Sequence, residues 1–200
     1  SQATGTTSWT YNWTVSGSGT ISIQSRAFDD SGNMETPTTG VTISVTARSC
    51  PCSIWGASVP PSPLDSGDTA SVELGTKFRA ETDGFITGVR FYKASTNTGT
   101  HTGSLWTRTG TLLGSATFAN ETSSGWQQVS FTTPVSITAG TVYVASYLAP
   151  VGRYAGDGGY FATAGVDNAP LHALKDGVSG GNGVYAYGST ATFPANTFNS

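Results

Sequence analysis

Charge is what this sequence has least of: only 10% of its residues are Asp, Glu, Lys or Arg. Nine scattered Lys and Arg and a formal net charge of −3 build no basic stripe for phosphates and no polybasic patch for anionic lipid, so nucleic acid is excluded as a partner. No apolar run approaches the roughly 18 residues of a spanning helix, and no membrane insertion is expected. The opening residues, SQATGTTSW, lack the basic and apolar regions of a signal peptide, so an export signal for a secreted protein would lie outside this chain. Methionine occurs once, cysteine twice, and long straight-chain helix formers are few. What the chain has instead is 26 Gly and 32 Thr, with Val, Tyr, Phe and Trp. Threonine and the β-branched and aromatic residues suit a pleated surface, and glycine suits tight turns, which makes the class all-β. Two hundred residues can bury a sizeable core.

The two cysteines, Cys50 and Cys52, flank Pro51. With no second cysteine pair and with His101 and His172 far off in sequence, zinc is not expected and no metal site is assigned. A strained ring between the two, free thiols, or bridges to another chain remain, and the local ring is the reading taken. Scarce Lys and Glu, one Met and abundant Thr point to an extracellular or cell-surface location.

The chain divides near residue 47. Residues 1–46 show three strand candidates, WTYNWTV, TISIQSRAF and GVTISVT, the last alternating Val41, Ile43 and Val45 with Thr42, Ser44 and Thr46. A complete immunoglobulin-like sandwich needs about seven strands, so this is part of one. The run Asp29 to Asn33 has the residue types of a calcium loop, but turn chemistry accounts for it with less, so no cofactor is assigned, with Ca2+ the one ion to consider. Residues 47–70 hold four of the nine prolines and read as a semi-rigid connector, with Trp55 pinning it to a neighbour. From residue 71 to 200, the segments ASVELGTKFRAE, GFITGVRFYK, GSLWTR, TLLGSATF, WQQVSF, TVYVASYL and GVYAYG recur with turn residues between them, the spacing of an antiparallel, jelly-roll-like β-sandwich. In the second of these, Phe85, Thr87, Val89 and Phe91 are expected on one face, and Ile86, Arg90 and Tyr92 on the other.

Two resemblances sharpen this. SWTYNWTVSGSGTISIQSRAFDDSGN resembles the second half of a bacterial immunoglobulin-like repeat, whose Arg-Ala-x-Asp-Asp-Ser-Gly-Asn run forms the penultimate strand and its turn. CPCSIW (50–55), TGVRFYK (87–93), TGTHTGSLW (98–106), ATFANETSSGWQQVSF (116–131), PVSITAGTVYVASYLAP (134–150) and GGNGVYAYG (180–188) together resemble a domain of unknown function from secreted bacterial proteins. That resemblance implies a β-sandwich and an extracellular setting, and no activity. Where that family tends to read Gly-His-Tyr, this chain has Arg153 before Tyr154, so no histidine role carries over. The family pattern also continues into an aromatic closing strand that is not found before Asn199 and Ser200. Both halves therefore read as incomplete sheets, and a neighbouring copy could supply the strand.

No nucleophile elbow, metalloprotease helix or phosphate loop is present, and the acids lie mostly in turn contexts, so the chain is not expected to be an enzyme. Glu121, between two strand candidates, is read as a turn anchor, and His101 and His172 as structural. A sugar would be recognised by aromatic rings beside amides and carboxylates. The candidates are Arg153, Tyr154, Asp157 and Tyr160 in one loop and Asn182, Tyr185 and Tyr187 in another, while Trp106 and Trp126 are assigned to the core. Two sequons, at Asn12 and Asn120, would permit glycans. The function expected is a non-catalytic extracellular structural or adhesive module of a cell-surface or fibrous protein, assembling with other copies or neighbouring domains by strand complementation. The alternative is a carbohydrate-binding module attached to a secreted enzyme, with polysaccharide as its partner.

Overall fold

The computed structural model describes residues 3–4, 8–11, 13, 18–37, 39–46, 49–56 and 60–198. They form two compact units, Ser1–Pro51 and Cys52–Ser200. No helix is present among the described residues, and the architecture is all-β.

In the first unit, β1 (Gly19–Ile23) pairs antiparallel with β2 (Val41–Val45), Ile21 opposite Ile43. The Asp29 turn lies between them. Its Oδ1 accepts the Ser31 and Asn33 amides at 3.0 and 2.8 Å, and its Oδ2 accepts Asn33 Nδ2 at 2.9 Å. These bonds, the Asn33 side chain foremost, hold the Asp29 carboxyl below its ordinary pKa. Both carboxylate oxygens thus face protein donors, which is the turn chemistry the sequence suggested. Of the expected first strand, Trp9, Tyr11 and Trp13 lie outside any strand and Thr10 bridges Thr4, while Asn12, Thr14 and Val15 fall outside the described residues. None of this unit's described residues is buried.

The second unit carries β3 (Val72–Ala80), β4 (Gly84–Lys93), β5 (Thr102–Thr107), β6 (Leu112–Thr117), β7 (Gly125–Ile137), β8 (Tyr143–Ala149), β9 (Val166–Asn168), β10 (Leu171–Ala173), β11 (Gly183–Tyr187) and β12 (Asn196–Thr197). One sheet runs β12-β11-β3-β8-β5-β6, with β10 added to β3 and β9 to β10; the other is β4-β7 alone. All pairings are antiparallel. The alternating apolar residues of these strands meet between the sheets: Phe78, Val89, Phe91, Leu105, Phe118, Phe131, Ile137 and Tyr143 form the core. Trp106, Val144 and Val184, on the other face of the larger sheet, form a second cluster covered by Phe193.

The expected faces of β4 are broken by a bulge. Register shifts between Ile86 and Gly88, so the residue order flips sides: Ile86 packs on the core, Phe85 is 68% exposed, and Val89 and Phe91 point inward beyond the bulge. Glycine is required there, because a Cβ on Gly88 would run into the Val129 carbonyl.

Residues 47–70 were expected to be a connector pinned by Trp55, and several of them make specific contacts within the second unit. Ile54 packs on the main core, Ser53 Oγ accepts Arg90 Nη1 at 3.0 Å, and Trp55 Nε1 donates to the Tyr160 hydroxyl at 3.0 Å. A Pro-rich segment with apolar Ile54 and Trp55 gains more by burying them than by staying extended in water. Both cysteines are disulfide-bonded, and with only two in the chain the bond closes the local Cys50–Cys52 ring.

Candidate functional site

A six-strand path faces a two-strand sheet, and the mismatch leaves a groove. Among the described residues β4 pairs with β7 on one edge and with no strand on the other. Beside that open edge lies a groove of about 600 Å³. Its floor is the inner face of the larger sheet, where Leu74 and Thr76 of β3, Tyr147 of β8 and Tyr185 of β11 line it.

The fourth strand lines the groove with both of its faces. Val89 and Phe91 are buried on the core side, and strand alternation puts Arg90 and Tyr92 on the opposite side, yet all four border the same groove. The groove therefore wraps the strand edge. On the outer side Tyr92 meets Trp126 edge to face at 5.7 Å, and the Arg90 guanidinium lies 4.8 Å from the Trp126 ring centre. The buried Trp126 Nε1 has no acceptor. Trp126 is thus a groove residue, whereas Trp106 is in the core as expected, its Nε1 donating to Ser146 Oγ at 2.7 Å.

Of the residues singled out for sugar contact, Tyr154, Asp157, Tyr160, Tyr185 and Tyr187 line this groove together. Tyr160 stacks edge-on against Phe161 at 5.0 Å, and Tyr185 against Tyr187 at 5.7 Å. Asp157 Oδ1 accepts the Ser62 amide. Burial, with the Asp68 carboxylate adding to it, pushes the Tyr154 phenol up. Two candidates fall elsewhere. Arg153 is no groove residue: its Nη2 lies 2.7 Å from Asp65 Oδ2 and its amide donates to the Asp68 carbonyl at 2.6 Å, which ties the loop down. Asn182 is fully buried; its Oδ1 accepts the Lys77 amide at 2.5 Å and its Nδ2 donates to the Leu174 carbonyl. Sequence reading missed Leu74 and Arg90, which look like ordinary strand residues until the missing neighbour of β4 exposes them.

Glu121 and the histidines resolve into buried or half-buried bonding. His101 is fully buried, its Nδ1 is 2.8 Å from Glu121 Oε1, and Lys93 Nζ is 2.7 Å from Glu121 Oε2. Desolvation drives the His101 pKa down, so the ring is neutral, with its one proton on Nδ1 facing the carboxylate. Nε2 then accepts, and it lies 2.9 Å from the Asn97 amide end placed as Oδ1. Exchanging the two amide ends gives Nε2 a donor and turns the carbonyl toward the neighbouring Tyr147 hydroxyl, which otherwise lacks a partner. The result is a closed chain, Tyr147–Asn97–His101–Glu121–Lys93. His172 joins two strands, its Nδ1 2.7 Å from Asp167 and its Nε2 2.9 Å from Glu81.

A second buried acid lies on the far face of β3. Glu73 is fully buried and accepts from Ser146 Oγ at 2.5 Å, its other oxygen having no hydrogen-bond partner. Desolvation raises its pKa from 4.5 to about 7.

A family model described as "Domain of unknown function (DUF4082)" matches residues 57–200. No curated protein and no solved structure matches the chain. With the match covering more than half of its length, including every strand from β3 to β12, the chain belongs to this family, DUF4082.

Proposed function

We propose that this chain is a non-catalytic structural or adhesive module of the cell exterior, completed by a β-strand that a second copy lays along the open edge of β4. The observation that carries this reading is that one groove borders both faces of β4. A ligand resting on a sheet touches one face, whereas an added strand lies in the plane of the sheet and sends alternate side chains to both. Its backbone would also satisfy the edge's free amides and carbonyls.

The first unit supplies a reason for choosing a second copy. Its β1–β2 ribbon has no buried residue, and Val41 is 66% exposed; a two-stranded ribbon is marginal by itself and gains from joining a larger sheet. Donor and acceptor thus occur in one chain, which favours head-to-tail growth. The Cys50–Cys52 disulfide supports an oxidising location. Among the described residues lining the groove Asp157 is the one carboxylate, and glycoside hydrolysis needs a pair, which supports a role without catalysis.

Light scattering over a dilution series tests it: the mass should rise with concentration, and Leu74→Lys, which puts a charge on the groove floor, should return the chain to monomer. A dilution-independent monomer with rapidly exchanging β4 amides sinks the proposal.

A second reading rests on Tyr154, Tyr160 and Tyr185 flanking Asp157, the rings and polar group a sugar-binding site uses. Under it the module binds polysaccharide for a secreted enzyme. A glycan array would then give signal that Tyr154→Ala removes, while an empty array beside ordered filaments leaves strand exchange alone.

A further inference from the structure

On the opposite face of the larger sheet from the groove, a second cavity of about 200 Å³ is lined by Lys77, Arg108, Thr109, Ser179 and Phe193. Lys77 is on β3, alternating with the groove residues Leu74 and Thr76, and Arg108 follows β5 directly. Two cations, one from β3 and one from the turn after β5, thus border one small space.

We propose that this cavity binds an oxyanion, a carboxylate, sulfate or phosphate group, between the Lys77 ammonium and the Arg108 guanidinium. Lys77 Nζ donates to the Ser179 and Gly181 carbonyls at 2.9 and 2.8 Å, and an ammonium carries three protons, so one is left over. Those two bonds fix the nitrogen in place before a ligand arrives. Arg108 is exposed and engages no carboxylate among the described residues, so its planar fork of donors is free to close over an anion. Ser179 adds an unused group: its Oγ is sealed from solvent and has no hydrogen-bond partner. Thr109 offers a further hydroxyl, though it also lies 3.1 Å from Thr107 Oγ1.

The electrostatics agree with the geometry. Burial lowers the Lys77 pKa and the positive charge of Arg108 lowers it further, opposed by Asp176. Asp176 is the one carboxylate whose field reaches the ammonium, and its Oδ1 already accepts the Asn182 amide at 2.6 Å. A bound anion would relieve the repulsion between the two cations, whereas a chance surface pair of cations would face water and feel little of each other.

Titration calorimetry and amide NMR of the whole chain with sodium sulfate, inorganic phosphate and oligogalacturonate separate the sources of this chemistry. Saturable binding of any of the three, with shifts centred on Lys77, Thr109 and Ser179, is expected. Arg108→Ala, at an exposed position that leaves the fold intact, should weaken it about tenfold, the loss of one charged contact, and Arg108→Lys should restore part of it. Tighter binding of oligogalacturonate than of the free ions assigns the site to an acidic polysaccharide, and equal binding assigns it to small ions. Absence of saturable binding to all three, or affinity unchanged in Arg108→Ala, overturns the proposal.

Discussion

Replacing His101 by alanine should lower the unfolding free energy by about 3–5 kcal/mol, the combined cost of a large-to-small cavity in the core and of a buried polar group left without its partner. The ring does three things at once. It donates to Glu121 Oε1 at 2.8 Å, meets the Asn97 amide at 2.9 Å, and packs 4.8 Å from the Phe91 ring in the core. Alanine would leave a cavity against Phe91 and two polar groups facing it without a partner. Lys93 would still hold Glu121 at 2.7 Å, which prevents a free carboxylate but not the orphaned amide. Glutamine at 101 should recover part of the loss, because its amide can donate to Glu121. Urea denaturation of the two variants measures both effects. A loss under about 1 kcal/mol for the alanine variant would show that the chain of hydrogen bonds contributes nothing net.

The contrast between what could and could not be read beforehand follows from how local each signal is. Strands β3 to β8 and β11 lie where the sequence placed them, because period-2 alternation bounded by turn residues needs no tertiary information. The short strands β9 and β10 were missed. Each is three residues long, too short for alternation to show, and they are held by pairing onto β3 rather than by their own pattern. The bulge in β4 was missed for a related reason: the extra residue depends on the approach of Val129, which is 41 residues away by number and invisible in the local pattern. Among the site residues, Tyr154, Asp157, Tyr160 and Tyr185 were legible as aromatic and polar loop chemistry. Asn182 was not separable from them, since an asparagine in a Gly-rich turn looks the same whether it meets a ligand or, as here, two buried backbone groups. Glu73 carried no signal at all. A glutamate in an alternating strand normally faces water, and only the covering by the segment around Thr192 and Phe193 seals it.

That seal makes stability depend on pH in an unusual direction. A carboxyl whose folded pKa is about 7 against an ordinary 4.5 binds its proton more tightly in the folded protein. Its contribution is therefore fully present below pH 4.5, falls as pH rises, and is gone above about 7. Each pH unit in that window is worth about 1.4 kcal/mol, for a total of about 3 kcal/mol. Burial outweighs the two donors that favour the carboxylate, the Ser146 hydroxyl at 2.5 Å, whose own oxygen also accepts Trp106 Nε1, and the Thr192 backbone amide, and no cation pairs with it among the described residues. Glu73→Gln keeps the shape and an acceptor for Ser146 but cannot ionise. The variant should match the parent near pH 4.5 and exceed its stability by about 3 kcal/mol at pH 8, so that the difference between the two profiles isolates this one residue from every other titrating group. Thermal unfolding at half-unit steps from pH 4 to 8 gives both curves. Profiles that run parallel throughout would mean that Glu73 titrates in the folded protein as it does unfolded, its Ser146 and Thr192 donors offsetting its burial in full.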